Sequence, residues 1–238
     1  MKKEVMTHSN ASGLLTQVIN LERRPDRLAR ISAELQRAGL SFETQVAVDG
    51  QLEPHEPKFI SKGAIGCWKS HVNSMRRIVE AKAPFGLILE DDATLSPVIN
   101  SKFLSEMVDL MKRNQLDILQ LGFIEEPYSA PLRSLASGPL EFLISLLKNI
   151  GKRDSSGFRF VLGDFRIGTH DYIVNDRLSE LITEITPGCP LIPWDDYLGL
   201  LAKIHMHGEI RIARLVKGVV YQESHQFKDH SPDSDIAT

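Results

Sequence analysis

Three consecutive carboxylates, Glu90, Asp91 and Asp92, directly follow a short apolar run at residues 85–89. The run has the length and composition of a strand buried on both faces, so it predicts a strand with three acids at its C-terminal end. Open α/β sheets bind their ligands at that edge. Adjacent carboxylates repel one another unless a cation, a basic ligand or water intervenes, and they are ligands for Mg²⁺ or Mn²⁺ beside a substrate diphosphate. A solvated turn whose acids cap the next helix is the alternative, and this stretch alone does not distinguish the two.

Polar side chains also follow two other predicted strands. Arg23, Arg24 and Arg27 come after the first strand, and guanidinium groups match the geometry of phosphate oxygens. A solvated helix entrance is the alternative for these arginines, and it is favoured for Arg23 and Arg24. Asp49 follows the second strand, where it could accept hydrogen bonds from a ribose or a base edge or, with Gly50, form an ordinary turn.

Two further acids, Asp195 and Asp196, open a late helix. A carboxylate there could remove a proton from an attacking hydroxyl, or it could cap the helix. His71 lies near the apolar stripe of an earlier helix, where a satisfied core histidine is the alternative to a functional one. Trp68 and Cys67 are predicted to be core residues.

Alternating strands and helices are predicted to position these side chains in one α/β domain. The first strand, helix and second strand form a βαβ unit, which implies a parallel sheet with a right-handed crossover. Pro25, Asp26 and Gly39 mark the ends of its helix. Strands are predicted at 14–20, 42–48, 85–89, 117–121, 169–174, 210–216 and 219–222, and helices at 28–38, from 63 to Pro84, around 103–111, at 176–185 and from 194 towards 206. The domain spans 14–222, with an irregular, acceptor-side region at 125–168 and polar tails at 1–13 and 223–238.

The composition is that of an ordinary globular protein. The 238 residues are 42% hydrophobic and 25% charged, with a formal net charge of −3, which gives no support for nucleic-acid binding as the main role. No apolar run approaches the ~20 residues of a membrane span, and the polar N-terminus lacks the apolar region of a signal peptide. Two separated cysteines, Cys67 and Cys189, exclude a disulfide scaffold and fit a reducing cytoplasm.

One segment, residues 140–153, combines an apolar face with basic residues. Such a helix could lie on an anionic membrane surface, although a helix packed on the core with a solvated basic end is favoured.

Seven stretches taken together resemble glycosyltransferase family 25, which includes bacterial lipooligosaccharide galactosyltransferases and the collagen galactosyltransferases of animals. They are VINLERRPDR, FETQVAVDG, KGAIGCWKSH, FGLILEDDATL, DILQLG, GTHDYIV and PWDDYL, and they span residues 18–198 in the family's order. The resemblance implies a GT-A-like fold, in which one domain holds a mainly parallel, Rossmann-like nucleotide-binding sheet with flanking helices. It implies an inverting, metal-dependent enzyme that transfers a sugar, typically galactose, from a UDP-sugar to a hydroxyl of lipooligosaccharide, lipopolysaccharide or a related surface glycan. A metal-dependent phosphohydrolase and a degenerate, non-catalytic nucleotide-sugar-binding module are the alternatives.

The resemblance also implies roles for individual residues. It places Mn²⁺ or Mg²⁺ on Asp91 and Asp92, with Glu90 beside them and His225 as a third ligand by analogy with other GT-A enzymes. It implies that Asp196 is the general base, with Asp195 as the close alternative. Residues expected on the nucleotide or donor sugar are Asn20, Leu21, Arg27, Asp49, Gly63, Gly66, Ser70, His71, Glu90 and Asp91. The chain departs from the family pattern at Ala64 and Lys69.

The expected partners are a UDP-sugar donor and a glycan or glycolipid acceptor, without nucleic acid. The expected location is the cytoplasm, with peripheral contact at the cytoplasmic face of an inner membrane as a further expectation.

Overall fold

The computed structural model of the chain describes residues 13–53, 60–123, 151–166, 168–185, 190–204 and 209–222. Within these residues the strands are β1 (Leu14–Asn20), β2 (Glu43–Val46), β3 (Phe85–Glu90), β4 (Ala93–Leu95), β5 (Ile118–Gln120), β6 (Lys152–Arg153), β7 (Arg159–Leu162), β8 (Asp171–Asn175), β9 (Ile212–Leu215) and β10 (Val220–Gln222). The α-helices are α1 (Pro25–Arg37), α2 (Lys62–Ala81), α3 (Ser101–Asn114), α4 (Asp176–Ile185) and α5 (Trp194–Ile204), and a 3₁₀ turn lies at Gly50–Leu52.

Eight strands form one mixed sheet in the order β2-β1-β3-β8-β5-β9-β7-β6. β1 pairs in parallel with β2 and β3, and β5 pairs in parallel with β9. β8 is antiparallel to both of its neighbours, and β7 is antiparallel to β9. The carboxyl ends of β1, β2, β3, β5 and β9 therefore share one edge of the sheet. The predicted α/β class is confirmed, and the sheet is mostly parallel but mixed, since β8 and β7 run against the common direction of β1, β2, β3, β5 and β9.

Helices cover both faces of this sheet. Val18 and Leu89 pack with α1 and α3 on one face, whereas Ile19 and Ile88 pack with α2, α4 and α5 on the other. This alternation follows from the two-residue side-chain period of a strand. Every residue of β1 is buried, because β1 lies between β2 and β3 in the sheet and between two helical layers.

The helices begin and end close to the predicted residues. Pro25 occupies the start of α1, where its fixed φ suits the first helical turn, and Gly39 follows the helix with a φ of +69°. Ser61 caps α2, since its hydroxyl accepts a hydrogen bond from Ala64 N at 3.1 Å. Asn100 caps α3 in the same way through Phe103 N at 3.0 Å.

Short strands account for most of the differences from prediction. β2, β5 and β9 are shorter than the ranges expected for them, and β4, β6 and β7 were not predicted. β4 pairs with β10 in a separate two-stranded sheet, which brings Gln222 opposite Ala93. Of the segment 140–153, residues 140–150 lie outside the described residues, and Lys152–Arg153 forms β6 instead of a helix end. No helix in the described part of the chain has the length and apolar character needed to span a bilayer.

Candidate active site

A cleft opens at the shared carboxyl edge of β1, β2 and β3. Its walls are the loops after β1 and β2, the first turns of α2, the three acids after β3 and the end of β10. Among the predicted site residues, those that line it are Leu21, Arg23, Arg27, Asp49, Gly63, Ser70, His71, Glu90, Asp91 and Asp92. The parallel pairing of β1 and β3 brings the ends of these strands together. Asn20 and Asp91, which lie 71 positions apart in the chain, form a hydrogen bond there.

Glu90 points to the α2 side of the sheet. Its Oε1 accepts a hydrogen bond from Thr169 Oγ1 at 2.7 Å and lies 3.1 Å from His71 Nε2. Burial alone would raise the pKa of Glu90, but the hydrogen bonds from His71 and Thr169 and the nearby His71 charge outweigh it, so the pKa is lowered. Glu90 is thus held as a carboxylate with a fixed orientation.

Asp91 points in the opposite direction, towards α1. Its Oδ2 accepts a hydrogen bond from Asn20 Nδ2 at 2.7 Å, and its Oδ1 lies 3.3 Å from a terminal nitrogen of the buried Arg27. Burial raises the pKa of Asp91, and the Asn20 and Arg27 contacts partly offset that rise. Asn20 does not line the cleft but positions one of the carboxylates that do.

Asp92 combines a buried oxygen with a strongly raised pKa. Its Oδ2 accepts a hydrogen bond from Gln222 Nε2 at 2.8 Å, while its buried Oδ1 has no hydrogen-bond partner among the described residues. Burial and the charge of Glu90 raise the pKa of Asp92 to about 7. A buried carboxylate oxygen left in this way is the donor that a hard cation requires, so Asp92 could hold Mg²⁺ or Mn²⁺, with Asp91 beside it on the cleft wall.

Small residues let α2 approach the loop after β2. A Cβ added at Gly66 would lie 2.5 Å from Val48 O and 2.7 Å from Gly50 N, so only glycine fits there. Ser70 Oγ accepts a hydrogen bond from Val48 N at 2.8 Å and donates one to Gly66 O at 2.6 Å. These residues fix the wall of the cleft, whereas Gly63 lines the cleft itself.

His71 is buried and locked in place by aromatic rings. Its Nδ1 lies 2.9 Å from Tyr172 Oη, and its ring stacks on Trp194 with centroids 5.7 Å apart. Trp194 Nε1 in turn donates to Tyr172 Oη at 3.3 Å. The imidazole is therefore aimed at Glu90 by packing that involves α2, β8 and α5.

An ion pair crosses the mouth of the cleft between the loops after β1 and β2. Arg23 Nε lies 3.1 Å from Asp49 Oδ2, and the Arg23 side chain is 44% exposed. The other Asp49 oxygen accepts from Gln51 N at 3.0 Å and caps the 3₁₀ turn. Asp49 thus serves as a turn residue and as a polar group on the cleft wall.

The two acids of α5 differ in their surroundings. Asp195 is partly buried, its Oδ2 lies 3.5 Å from Gly168 N, and burial raises its pKa. Burial, followed by the negative charges of Glu90, Asp195 and Asp92, raises the pKa of the Cys67 thiol, so Asp195 lies within electrostatic reach of Cys67 on the cleft wall. Asp196 is exposed.

Gln222, Thr169 and Cys67 contact or line the cleft and had no predicted functional role. Gln222 holds Asp92 but is 130 residues away in the chain, so no local pattern could have revealed it. Thr169 lies in the GTHDYIV stretch, whose resemblance marked the segment but not the residue. Cys67 was predicted to lie in the core, and it is half-buried against the core while it also lines the cleft. Its position one helical turn before His71 was the available signal. His225, the predicted third metal ligand, lies outside the described residues. Trp68 is a core residue, as predicted.

The chain matches the model of a known protein family. The model of "Glycosyltransferase family 25 (LPS biosynthesis protein)" matches residues 15–196, which include the cleft residues from Ile19 to Asp92 and extend through both α5 acids. The chain belongs to glycosyltransferase family 25. The predicted resemblance is thereby confirmed.

Curated relatives carry family 25 names as well. The chain is 26% identical over 206 residues to a "Glycosyltransferase 25 family member" of Aedes aegypti and 22% identical over 208 residues to "Procollagen galactosyltransferase 1" of Danio rerio, with 79% of the chain covered in each case. These alignments span 31% of the length of each relative. Among solved structures, a glycosyltransferase involved in the glycosylation of the major capsid of PBCV-1 gives a TM-score of 0.40 at 12% identity, over 77% of this chain and 71% of that one.

Proposed function

We propose that this family 25 chain is an inverting, metal-dependent glycosyltransferase that moves a sugar from a UDP-sugar to a hydroxyl of a surface glycan. The observation that carries the proposal is the cleft at the carboxyl edge of β1, β2 and β3, which Asp91 and Asp92 line together with Arg23, Arg27 and Asp49. Diphosphates of nucleotide sugars bind where hard-cation ligands and guanidinium groups converge.

Galactose is the proposed sugar, and a lipooligosaccharide, lipopolysaccharide or related glycan is the proposed acceptor. The names of relatives such as "Procollagen galactosyltransferase 1" support the first, and the family description "LPS biosynthesis protein" supports the second. We also propose a cytoplasmic location, which the family description supports. Peripheral contact at the inner membrane would give access to glycolipid acceptors.

Asp92 and Asp91 would hold the Mg²⁺ or Mn²⁺ ion. When bound, the ion neutralises charge on the diphosphate that leaves as the sugar is transferred. The raised pKa of Asp92 makes its carboxylate a strong donor once ionised. Asn20 and Arg27 hold Asp91 in position, and Gln222 holds Asp92.

Arginines of the β1 loop line the cleft on the side of these acids. Arg27 is buried beside Asp91, and Arg23 is exposed at the mouth. A guanidinium group that meets the diphosphate stabilises charge that grows on the leaving oxygen in the transition state. Asp49 lies next to Arg23, where a ribose hydroxyl could donate to its carboxylate.

Asp195 is the proposed general base. The acceptor hydroxyl oxygen attacks the anomeric carbon as the bond from that carbon to the phosphate oxygen breaks, and the hydroxyl proton passes to the base. A carboxylate with a raised pKa takes that proton more readily, and burial raises the pKa of Asp195. The exposed Asp196, the first choice from sequence, is the comparison residue.

The test is product analysis with a panel of UDP-sugars in the presence of Mn²⁺, Mg²⁺ or EDTA. Many transferases slowly hydrolyse their donor, so the acceptor need not be supplied. We expect metal-dependent release of UDP, fastest from UDP-galactose and lost in Asp92→Asn. Release of UMP and a sugar phosphate would instead identify a phosphohydrolase, and binding of UDP without any turnover of the panel would leave the binding-module alternative.

The base is tested with matched variants. We expect Asp195→Asn to lower the rate of UDP release by about 10²–10⁴-fold while UDP affinity stays near that of the wild type. Asp196→Asn should retain most of the rate. The reverse pattern would assign the base to Asp196.

A further inference from the structure

A second group of metal-binding side chains lies on the α2 wall of the cleft. Cys67 and His71 are one helical turn apart on α2, and Glu90 reaches them from the end of β3. One sulfur, one imidazole nitrogen and one carboxylate oxygen of these residues all lie within 4.8 Å of one another. Sulfur and nitrogen donors favour zinc-type ions, whereas Mg²⁺ and Mn²⁺ favour oxygen.

We propose that Cys67, His71 and Glu90 bind a thiophilic divalent cation of the Zn²⁺ type. The distances fit a tetrahedral ion with three protein ligands. Nitrogen and oxygen ligands on such an ion lie about 3.3 Å apart, and sulfur lies about 3.5 Å from each of them. His71 Nε2 is already 3.1 Å from Glu90 Oε1. The Cys67 sulfur lies within 4.8 Å of a ligand nitrogen and a ligand oxygen of these two residues, so it needs to move by no more than about 1.3 Å.

Residues behind the ligands hold them in the orientation that coordination requires. His71 Nδ1 faces Tyr172 Oη at 2.9 Å, so a ring that donates through Nδ1 presents a bare Nε2 to the ion. The rings of Tyr172 and Trp194 stack on the imidazole and restrict its rotation. Thr169 anchors Glu90 through its hydroxyl at 2.7 Å. This arrangement is the outer shell that tunes metal-binding histidines and carboxylates.

The fourth position of the ion would face the cleft, since all three ligands line it. Binding through the Cys67 thiolate releases the thiol proton to solvent. An ion at this site would coordinate Glu90 and occupy space beside Asp92. It should therefore compete with binding of the UDP-sugar. That consequence depends on the proposed function, whereas the binding site itself does not.

Cobalt spectroscopy of the full chain tests the site without any sugar donor. Chelator-treated protein is titrated with Co²⁺, whose bond to a thiolate gives a charge-transfer absorption, and Zn²⁺ is then added to displace it. The chain has two cysteines, so Cys67→Ser and Cys189→Ser are matched variants. We expect the absorption in the wild type and in Cys189→Ser, its loss in Cys67→Ser, and roughly tenfold weaker Zn²⁺ binding in Tyr172→Phe.

A second measurement uses the wild-type chain alone, so it does not depend on how the variants fold. Zn²⁺ should slow alkylation of Cys67 by about tenfold, measured by mass spectrometry against Cys189 in the same sample. The proposal is overturned if no cobalt–thiolate absorption forms, if it survives in Cys67→Ser, or if Zn²⁺ leaves the alkylation of Cys67 unchanged. Those results leave UDP release untouched, and failure of UDP release leaves the cobalt result standing.

Discussion

Replacing Asp92 with asparagine should stabilise the metal-free protein at alkaline pH while it removes the proposed activity. Burial and the charge of Glu90 raise the pKa of Asp92 from 3.8 to about 7. The folded protein therefore binds the Asp92 proton more tightly than the unfolded chain does, and ionisation of this carboxylate costs stability. The cost appears as the pH rises above about 4 and is complete above about 7.

The size of the effect follows from the pKa difference. A pKa raised from 3.8 to about 7 corresponds to roughly 4 kcal/mol at pH 8, and the same linkage gives roughly 2 kcal/mol at pH 5. The asparagine amide is a buried polar group with an incomplete set of hydrogen-bond partners, which lowers the gain in free energy of unfolding by about 1 kcal/mol. We expect Asp92→Asn to raise the free energy of unfolding by about 3 kcal/mol at pH 8 and by no more than about 1 kcal/mol at pH 5.

Urea unfolding in EDTA at the two pH values measures this directly. Asp109→Asn, at an exposed position on α3, is the control and should change the free energy of unfolding by less than about 0.5 kcal/mol. A gain as large at pH 5 as at pH 8 would refute the assigned titration. A loss of stability at pH 8 would show that the Asp92 carboxylate is stabilised in the folded protein rather than strained.

Two further substitutions probe how the site is supported. Gly66→Ala would place a methyl group 2.5 Å from a backbone carbonyl oxygen of the loop after β2, so we expect a loss of about 1–3 kcal/mol in urea unfolding and weaker UDP binding by calorimetry. Gly199→Ala on α5, where the added carbon meets nothing closer than 3.4 Å, is the control and should be neutral or slightly stabilising. Asp117→Ala removes the buried acceptor of Asn175, Arg177 and the backbone N–H of Arg211, which should cost about 3 kcal/mol in urea unfolding. Because Asp117 lies at the opposite edge of the sheet, UDP affinity should not change, and a change in it would contradict the position assigned to the cleft.

Periodicity was sufficient to predict the elements that carry the cleft. The apolar run before Glu90 predicts the strand that carries the three acids. The apolar residues at helical spacing in α1 and α2 predict the two helices that flank it. The opposite directions of Glu90 and Asp91 follow from the alternation along β3, and their partners on α2 and α1 follow from the two helical layers.

Other features depend on contacts that no local pattern records. The reversed direction of β8 is invisible because its residues are buried on both faces. β4 is three residues long and forms against β10, so Gln222 meets Asp92 only through that pairing. The choice between Asp195 and Asp196 depends on the rotation of α5 about its axis, which the packing of Trp194 sets.

Calorimetric titration with UDP tests the central claim, a metal-dependent nucleotide diphosphate site at the carboxyl edge of β3. The wild type and Asp109→Asn should bind UDP in the presence of Mn²⁺. EDTA or Asp92→Asn should weaken that binding by about 100-fold or more, because each removes the link between the acids and the diphosphate. Equal UDP affinity in Asp92→Asn and wild type, or no UDP binding by the wild type, would contradict the account.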